Sequence, residues 1–340
     1  MAQTGVQAVL AGDAAVERSR QSRAYWIRVA LAVAGLIGIV IAVNVFTHGY
    51  FLGPRNLITV LRQITYNAIL GVGQTFVIIT AGIDLSVGSL VSLTGVVMAI
   101  LANGLHLSGF MLIAATLAGG LVVGALAGYI NAFPVVKLNL PPFITTLAMM
   151  LMARGLSYKM SHGRPIALNS DAFTNIGIGY IFNAVPISVI WMAFIVIVFS
   201  VLLTRMRVGR YVFAIGGNEE AARLAGIAVG RVKTLAYVIS GVCAAVTGFL
   251  LMSRFSSGSP QTGTGYELQA IAAVVVGGTS LMGGRGSIVG TFFGALLIGI
   301  LNNVMNLMGI ESYTQEIVLG AVILFAVILD ELRKRYLRRS

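Results

Sequence analysis

The chain has 340 residues, of which 57% are hydrophobic and only 10% charged, and it carries a net charge of +12 at pH 7. A mean hydropathy of +0.92 excludes a soluble domain with an ordinary polar surface and indicates an integral membrane protein. Its basic residues flank apolar segments and do not cover a folded domain, so we expect anionic lipid headgroups, and no nucleic acid, as their partners.

Ten apolar segments approach the length of about 20 residues that a membrane-spanning helix requires. The predicted spans are 26–46, 57–80, 86–102, 110–131, 142–159, 187–204, 234–252, 266–282, 287–308 and 315–330. The first span is too long for the core of a signal peptide and no small-residue cleavage site follows it, so we expect an uncleaved anchor. The predicted fold is an all-α membrane protein of about ten transmembrane helices.

The charges beside these spans predict their orientation. Ten spans place both termini on one side, where 17 basic residues stand against four on the other. By the positive-inside rule, both termini are cytoplasmic. The predicted organisation is a cytoplasmic tail over 1–25, a polytopic domain over 26–330 with a cytoplasmic loop at 205–233, and a basic cytoplasmic tail over 331–340.

The two halves of the chain share a short similarity. GALAGYIN at 124–131 resembles GALLIGILN at 294–302. Five spans in each half would invert the second copy relative to the first, as in many transporters. Because Gly, Ala and Leu are common in all membrane helices, a chance match is an equal alternative, and the repeat stays open.

Residues 205–233 form a charged island between two apolar segments. Within it, Asn218 is a candidate N-cap, Glu219 and Glu220 suit the positive end of a short helix, Arg223 is placed to pair with Glu219, and Gly226 is placed to end the helix. A compact helix on the inner face of a membrane protein is a site for a soluble partner. The alternative is a solvated loop with an incidental helix.

Two glycine-rich segments, AGIDLSVGS at 81–89 and GGTSLMGGRGS at 277–287, interrupt the apolar pattern. In the first, Asp84 lies at or just inside a membrane boundary, within reach of Ser86 and Ser89. An acid at such a position is a functional candidate. The alternative is that Asp84 or Ser86 caps the helix that begins near Val87.

Neutral polar side chains within the spans outline a path for a hydroxyl-rich solute. The candidates are Asn67, Gln74, Asn131, Thr145, Thr146, Gln269, Asn302 and Asn303, together with Asp84 and Ser86. Hydrogen bonding between helices is the alternative role for each of them. The scarcity of buried acids argues against a carrier driven by protons or sodium.

The sequence offers no catalytic, metal or cofactor site. The glycines at 278–284 imitate a phosphate-binding loop, but Gly284 stands where that loop needs a lysine and no strand precedes it. Cys243 is the lone cysteine, and the three histidines lie far apart in predicted outward loops. We therefore expect neither a thiolate metal site nor nucleotide hydrolysis by this chain.

At AGIDLSVGS the chain resembles the permease subunits of bacterial ribose-type ABC importers, and the resemblance covers the chain from about residue 55 to 330. The resemblance continues through NAFPVVKLNLPPFITTLAMMLMARGLSY at 131–158, GRYVFAIGGNEEAARLAGIAV at 209–229 and VVVGGTSLMGGRGSIVGTFFGALLIGILNN at 274–303. It implies the ABC importer permease fold, a paired permease in the inner membrane, an ATPase subunit below it and a periplasmic sugar-binding protein above it. ABC permeases for branched-chain amino acids or nucleosides, and a stand-alone secondary transporter, are the alternatives.

In that family a short cytoplasmic helix of the permease docks into a cleft of the ATPase. The matching positions here run from Asn218 to Gly226 and include Ala222 and Leu224. The longest predicted outward loop, residues 160–186, is a candidate surface for the binding protein, with Arg164, Asn169 and Asp171 as polar contacts. An ordinary connecting loop is the alternative.

Overall fold

The structure, a computed structural model, describes residues 38, 40–182 and 184–337, with side chains described up to residue 328. The predicted N-terminal tail, most of the predicted first span and residues 338–340 lie outside this description. The chain divides into two units, Met1–Asn56 and Leu57–Ser340. In the first unit, residues 40–46 are helical, and the hydroxyl of Thr47 accepts the backbone N–H of Phe51 at 3.1 Å in the turn that follows.

Twelve helices follow in chain order over the described residues. They are α1 (Pro54–Ile79), α2 (Val87–Gly104), α3 (Gly109–Lys137), α4 (Pro142–Met160), α5 (Thr174–Ile178), α6 (Ile187–Arg205), α7 (Arg207–Gly217), α8 (Glu219–Leu224), α9 (Val229–Phe255), α10 (Tyr266–Val276), α11 (Ile288–Leu307) and α12 (Ser312–Leu337). Five of them, α2, α3, α6, α9 and α11, are long and apolar enough to cross a membrane by length and composition alone.

The all-α membrane fold is confirmed, while the count of ten spans and the inverted repeat stay predictions. Each predicted span from the second onward coincides with a helix, but the one predicted at 266–282 is helical only over Tyr266–Val276. Eleven residues extend about 16 Å, roughly half of a bilayer core. The helix ends there because Gly277 and Gly278 begin the irregular segment 277–287, in which Gly278 has a φ of +87°.

Helix α9 is the centre of the bundle. In its apolar stretch 83% of the residues are buried, against 22% in α6. Glycines of α3 spaced four apart face α9, so that a Cβ at Gly124 would overlap the carbonyl oxygen of Gly241 and one at Gly128 would overlap that of Tyr237. This is the small-residue packing that membrane helices use in place of the hydrophobic effect.

The predicted outward loop is more ordered than a simple connector. It contains β1 (Ile166–Ala167), a short 3₁₀ helix (Asp171–Phe173), α5, β2 (Tyr180–Ile181) and β3 (Val185–Pro186). Strand β1 pairs antiparallel with β4 (Ser257–Gly258), which follows α9, and β2 pairs with β3. The guanidinium of Arg62 on α1 donates to the carbonyl of Ile178 at 3.1 Å and so fixes α5 to the bundle.

Candidate functional site

A polar cavity of about 360 Å³ lies where five helices end. Its lining residues are Gln63, Tyr66, Asn67, Leu251, Arg254, Phe255, Tyr266, Gln269, Asn302, Asn306, Ser312, Gln315, Glu316 and Leu319. Six of these carry a neutral carboxamide, and three are apolar. The cavity is therefore built to exchange hydrogen bonds and not to bury a large apolar group.

The cavity residues recur at helical spacing because each helix presents one face to the opening. On α1 they are Gln63, Tyr66 and Asn67, at positions i, i+3 and i+4, and on α11 they are Asn302 and Asn306, at i and i+4. Residues three and four apart lie on one side of a helix. A membrane helix with a polar stripe of this kind faces protein or water, since lipid offers no hydrogen bonds.

The side chains of the cavity are only partly engaged with one another. Asn67 Nδ2 donates to Gln269 Oε1 at 3.0 Å, and Gln315 Nε2 donates to Asn306 Oδ1 at 2.9 Å. Gln63 Oε1 accepts no hydrogen bond from the described residues although it is buried. Gln63 Oε1 is therefore an acceptor that remains for a solute.

Arg254 and Tyr66 form the charged wall of the cavity. The guanidinium of Arg254 lies 5.8 Å from the centre of the Tyr66 ring and 5.6 Å from that of Phe255, and it donates to the Tyr66 hydroxyl at 3.4 Å. Contacts with two aromatic faces stabilise the cation by cation–π attraction. Arg254 is thus held beside Tyr66 in the wall of the cavity.

A second polar cluster surrounds Asp84, whose side chain is fully buried. Its Oδ1 accepts the backbone N–H of Ser86 at 2.9 Å and the Ser86 hydroxyl at 2.6 Å, while its Oδ2 accepts the Ser240 hydroxyl at 2.8 Å. Asn131 Nδ2 donates to Ser86 Oγ at 2.9 Å, and Gln74 Nε2 donates to the backbone carbonyl of Asp84. The cluster joins α1, α2, α3 and α9.

The start of α2 differs from the predicted cap. Helix α2 begins at Val87 and Ser86 occupies the N-cap position, but the Ser86 side chain makes no capping hydrogen bond. The Asp84 carboxylate instead accepts the N–H two residues on, which is an Asx-turn. The Ser86 hydroxyl donates to Asp84 and makes no capping hydrogen bond with the first turn of α2.

The predicted path residues therefore separate into two groups. Asn67, Gln269 and Asn302 line the cavity, whereas Gln74, Asp84, Ser86 and Asn131 form the Asp84 cluster. Thr145 donates within its own helix to the carbonyl of Pro142, and it is Thr146 that donates to the carbonyl of Ile83 at 3.1 Å. Asn303 is buried beside the cavity-lining Asn302 but does not line the cavity.

The short helix predicted in the charged island is confirmed as α8. Asn218 Oδ1 accepts the N–H of Ala221 at 2.9 Å, Arg223 pairs with Glu219 at 3.4 Å, and Gly226 follows the helix with a φ of +80°. A residue in this left-handed region is most often glycine, which ends helices without strain. Leu224, at the tip of α8, is an apolar side chain that is 82% exposed.

The island also contains α7, a second helix that the sequence did not predict. Gly216 near its end has no room for a side chain, because a Cβ would overlap the carbonyl oxygen of Ile79 and the backbone N of Gly284. Gly284, at a φ of +72°, donates its N–H to that same carbonyl at 2.9 Å. Helix α7 is thereby packed on the end of α1 and on the glycine-rich segment 277–287.

The cavity and α8 lie at opposite ends of α9. Lys233 contacts α8 in the second turn of α9, whereas Arg254 lines the cavity in the last. Twenty-one residues of helix separate these two side chains by about 30 Å. The cavity and α8 are therefore separate surfaces near the two ends of α9.

The loop residues proposed for docking are accessible. Arg164, Asn169 and Asp171 are all exposed. The backbone N–H of Asn169 donates to Asn103 Oδ1 at 3.0 Å, which ties the loop to the end of α2. The structure thus presents these side chains on an ordered surface, and their role stays a prediction.

Several polar residues near the cavity were missed in the sequence. Tyr66, Arg254, Tyr266, Gln315 and Glu316 line the cavity, and the signal that could have found them is the helical spacing of polar residues near span ends. The acid Glu267 was missed as well. Its Oε2 is buried without a hydrogen-bond partner among the described residues, and a Cβ at Gly88 would overlap it.

Comparison with known proteins is consistent with this architecture. Residues 56–327 match the family described as "Branched-chain amino acid transport system / permease component". The chain is 43% identical over 309 residues to the ribose import permease protein of Escherichia coli K12, with 90% of this chain and 94% of the relative covered. No solved structure matches the chain.

Two further relatives extend the similarity. The ribose import permease protein of Bacillus subtilis 168 is 45% identical over 298 residues, covering 87% of this chain and 90% of the relative. The D-allose transport system permease protein of E. coli K12 is 36% identical over 283 residues, covering 83% and 85%. The chain therefore belongs to the family of ABC transporter permeases that includes the sugar permeases, and it is a multi-pass membrane subunit of a transporter.

Proposed function

We propose that the chain is the transmembrane permease of an ATP-driven ABC importer that moves a monosaccharide, a ribose-type pentose or a hexose, from the periplasm to the cytoplasm. The observation that carries the proposal is the cavity, with six carboxamides and few apolar side chains. Carboxamides both donate and accept, as do sugar hydroxyls. The ribose and allose permeases among the relatives support the same substrate class.

The cavity is proposed to face the periplasm and α8 the cytoplasm, with both termini cytoplasmic. This orientation follows from the excess of basic residues on the α8 side. The sugar arrives from a periplasmic binding protein that docks on the loop bearing Arg164, Asn169 and Asp171. Because that protein has already selected the sugar, the permease needs only moderate affinity.

Helix α8 is the proposed contact with the ATPase subunit. Glu220 and Arg223 have side chains 72% and 60% exposed, and Leu224 extends from the helix tip. The ATPase site is proposed to lie on that partner subunit, because the glycines at 278–284 offer no lysine where a phosphate-binding loop needs one. ATP is hydrolysed by the partner subunit.

Transport is proposed to proceed by rocking of two permease copies, a homodimer, around a central path. Closure of the ATPase dimer on ATP would carry α8 with it. Basic side chains of the island, such as Arg205 and Arg207, would rest against anionic lipid headgroups. The Asp84 cluster keeps four elements of each copy together during this motion.

Uptake measurements test the substrate class. The chain is expressed with its ATPase and binding protein in cells that lack sugar uptake, and labelled ribose, allose, leucine and adenosine are supplied in turn. We expect energy-dependent uptake of a monosaccharide and none of leucine. Uptake of leucine or adenosine instead, or sugar uptake that persists without the ATPase, would overturn the proposal.

A triple variant tests the role of α8. Replacing Glu219, Glu220 and Arg223 together with alanine should abolish uptake while the permease still accumulates in the membrane, because these side chains lie on α8 and not in the bundle core. Membrane abundance is followed by immunoblotting of the same cells. Normal uptake by this variant would exclude α8 as the coupling element.

A further inference from the structure

A short ion pair joins helix α8 to the membrane helix α9. Lys233 Nζ donates to Glu219 Oε2 at 2.6 Å, and the Lys233 side chain is only 17% exposed. The pairs of Arg223 with Glu219 and Glu220, at 3.4 and 3.9 Å, stay within α8 and are open to solvent. Exposed pairs of that kind contribute little. The half-buried contact of Lys233 with Glu219 is the stronger constraint on α8.

The backbone segment that connects α8 to α9 is also short. Four residues, 225–228, connect α8 to α9, and they fold into a turn in which the N–H of Ile227 donates to the carbonyl of Ala222 at 3.1 Å. With the ion pair on one side and this turn on the other, α8 has two attachments to the first turns of α9. A displacement of α8 must therefore move α9 or break the ion pair.

The face of α9 that bears Lys233 also contacts the Asp84 cluster. Lys233 and Ser240 are seven residues apart, which places them on one face, two turns or about 10 Å along the axis. The Ser240 hydroxyl donates to Asp84 Oδ2 at 2.8 Å, and Asp84 Oδ1 accepts the Ser86 hydroxyl that Asn131 also contacts. One helix face thus contacts α8 at one point and, through Asp84, both α2 and α3 at another.

Close packing prevents α9 from sliding past its neighbours at this level. A Cβ at Gly73 of α1 would lie 2.8 Å from the Cα of Ser240, and one at Gly241 would overlap the carbonyl of Gly124. Packed interfaces of this kind move as units and are not continuously deformable. The segment of α9 between Lys233 and Gly241 therefore moves together with α1 and α3.

We propose that Lys233 and Ser240 are positioning residues that make α9 the lever of the transport cycle, with Glu219 as its attachment to α8. This inference rests on the proposed function and assigns Glu219 a second role. Glu220, Arg223 and Leu224 remain the surface that contacts the ATPase, whereas Glu219 faces Lys233 and transmits the movement of α8 to the Asp84 cluster.

The ratio of sugar transported to ATP hydrolysed tests the lever. Lys233→Met is compared with wild type in proteoliposomes that contain the ATPase and the sugar-loaded binding protein. We expect Lys233→Met to co-purify with the ATPase normally but to lower this ratio about tenfold, within the range of measured coupling energies. Lys233→Arg, which keeps the cation, should retain most of the ratio.

A double-variant cycle separates the lever from a merely stabilising contact. If the two side chains act through their ion pair, Lys233→Met with Glu219→Gln should be no worse than either change alone. Arg231→Met is the matched control, because it removes an exposed cation from the same end of α9 and should leave the ratio near the wild-type value. The melting temperature of each variant is recorded in the same preparation.

The outcomes distinguish this inference from the proposed function. If wild-type proteoliposomes move no sugar, the proposed function fails. If wild type transports normally and Lys233→Met keeps the full ratio of sugar to ATP, the lever fails and the proposed function stands. The lever would also be overturned by a second result. In that result, the loss of transport parallels the fall in melting temperature in all variants, and the effects of Lys233→Met and Glu219→Gln are additive.

Discussion

The cavity and the Asp84 cluster are made of similar polar residues, yet the structure uses them in opposite ways. In the Asp84 cluster, a fully buried carboxylate accepts three hydrogen bonds from side chains and backbone of the bundle. In the cavity, amides such as Asn67 and Gln269 are paired with each other beside an open volume of about 360 Å³. One region joins helices, and the other has capacity for a solute.

The difference shows that the neighbourhood of a polar residue in a membrane helix decides its role. A buried group whose partners are all protein groups stabilises the fold, because losing one partner leaves an unpaired polar atom. A group that faces an opening between helices can exchange its partners. Changes in the Asp84 cluster should therefore lower stability, and changes in the cavity should lower transport.

The largest effect is expected for Asp84→Ala, which leaves the N–H and hydroxyl of Ser86 and the hydroxyl of Ser240 without their acceptor. A loss of about 3 kcal/mol or more should follow, measured as a lower melting temperature of the purified protein. Asp84→Asn keeps an acceptor oxygen and should lose less. An Asp84→Ala protein of wild-type stability would show that the Asp84 cluster does not stabilise the packing of the helices, and it would contradict the comparison.

A smaller loss of stability is expected for Gly128→Ala. The new Cβ would overlap the Tyr237 carbonyl oxygen and lie 2.8 Å from the Cα of Val238, so α3 and α9 must separate. Overpacking of this kind costs about 1 to 3 kcal/mol. Gly155→Ala on α4, where a Cβ meets nothing within 4 Å, is the control and should not destabilise the protein. Equal melting temperatures for the two variants would show that the contact between α3 and α9 is loose.

The smallest effect on stability, with a clear effect on transport, is expected for Gln269→Leu. The substitution keeps the approximate volume and removes the hydrogen bond with Asn67 and the amide surface in the cavity. Uptake should fall about tenfold, equivalent to roughly 1.4 kcal/mol, while the melting temperature changes little. Transport at the wild-type rate would show that the sugar passes elsewhere.

Local signals in the sequence predicted α8 almost completely. Asn218, Glu219, Arg223 and Gly226 lie within nine residues, and capping and charge at helix ends depend only on such neighbours. Local signals could not predict which of the polar path residues line the cavity and which belong to the Asp84 cluster. Whether Gln74 meets Asp84 or the cavity depends on how α1 packs, which no local pattern specifies.

The contacts of the segment 277–287 also could not be predicted from the local sequence. Its glycines predicted a break in the helix, but not that Gly284 would donate to Ile79, more than 200 positions earlier. Glu267 was missed for a related reason, since an acid in the first turn of a helix is ordinary in sequence and its burial against Gly88 is a tertiary effect. The fold class and α8 were therefore predictable, whereas the cavity required the packing.

The accessibility of introduced cysteines tests the separation of the cavity from the Asp84 cluster most directly. The native Cys243 is fully buried and serves as the unreactive reference. Asn302→Cys and Ser86→Cys are each treated with a charged, thiol-specific reagent in the assembled transporter, with and without sugar-loaded binding protein. We expect that Asn302→Cys reacts, that sugar slows its reaction, and that Ser86→Cys stays as unreactive as Cys243. Equal reaction at the two positions, or a rate at Asn302→Cys that sugar does not change, would contradict this expectation.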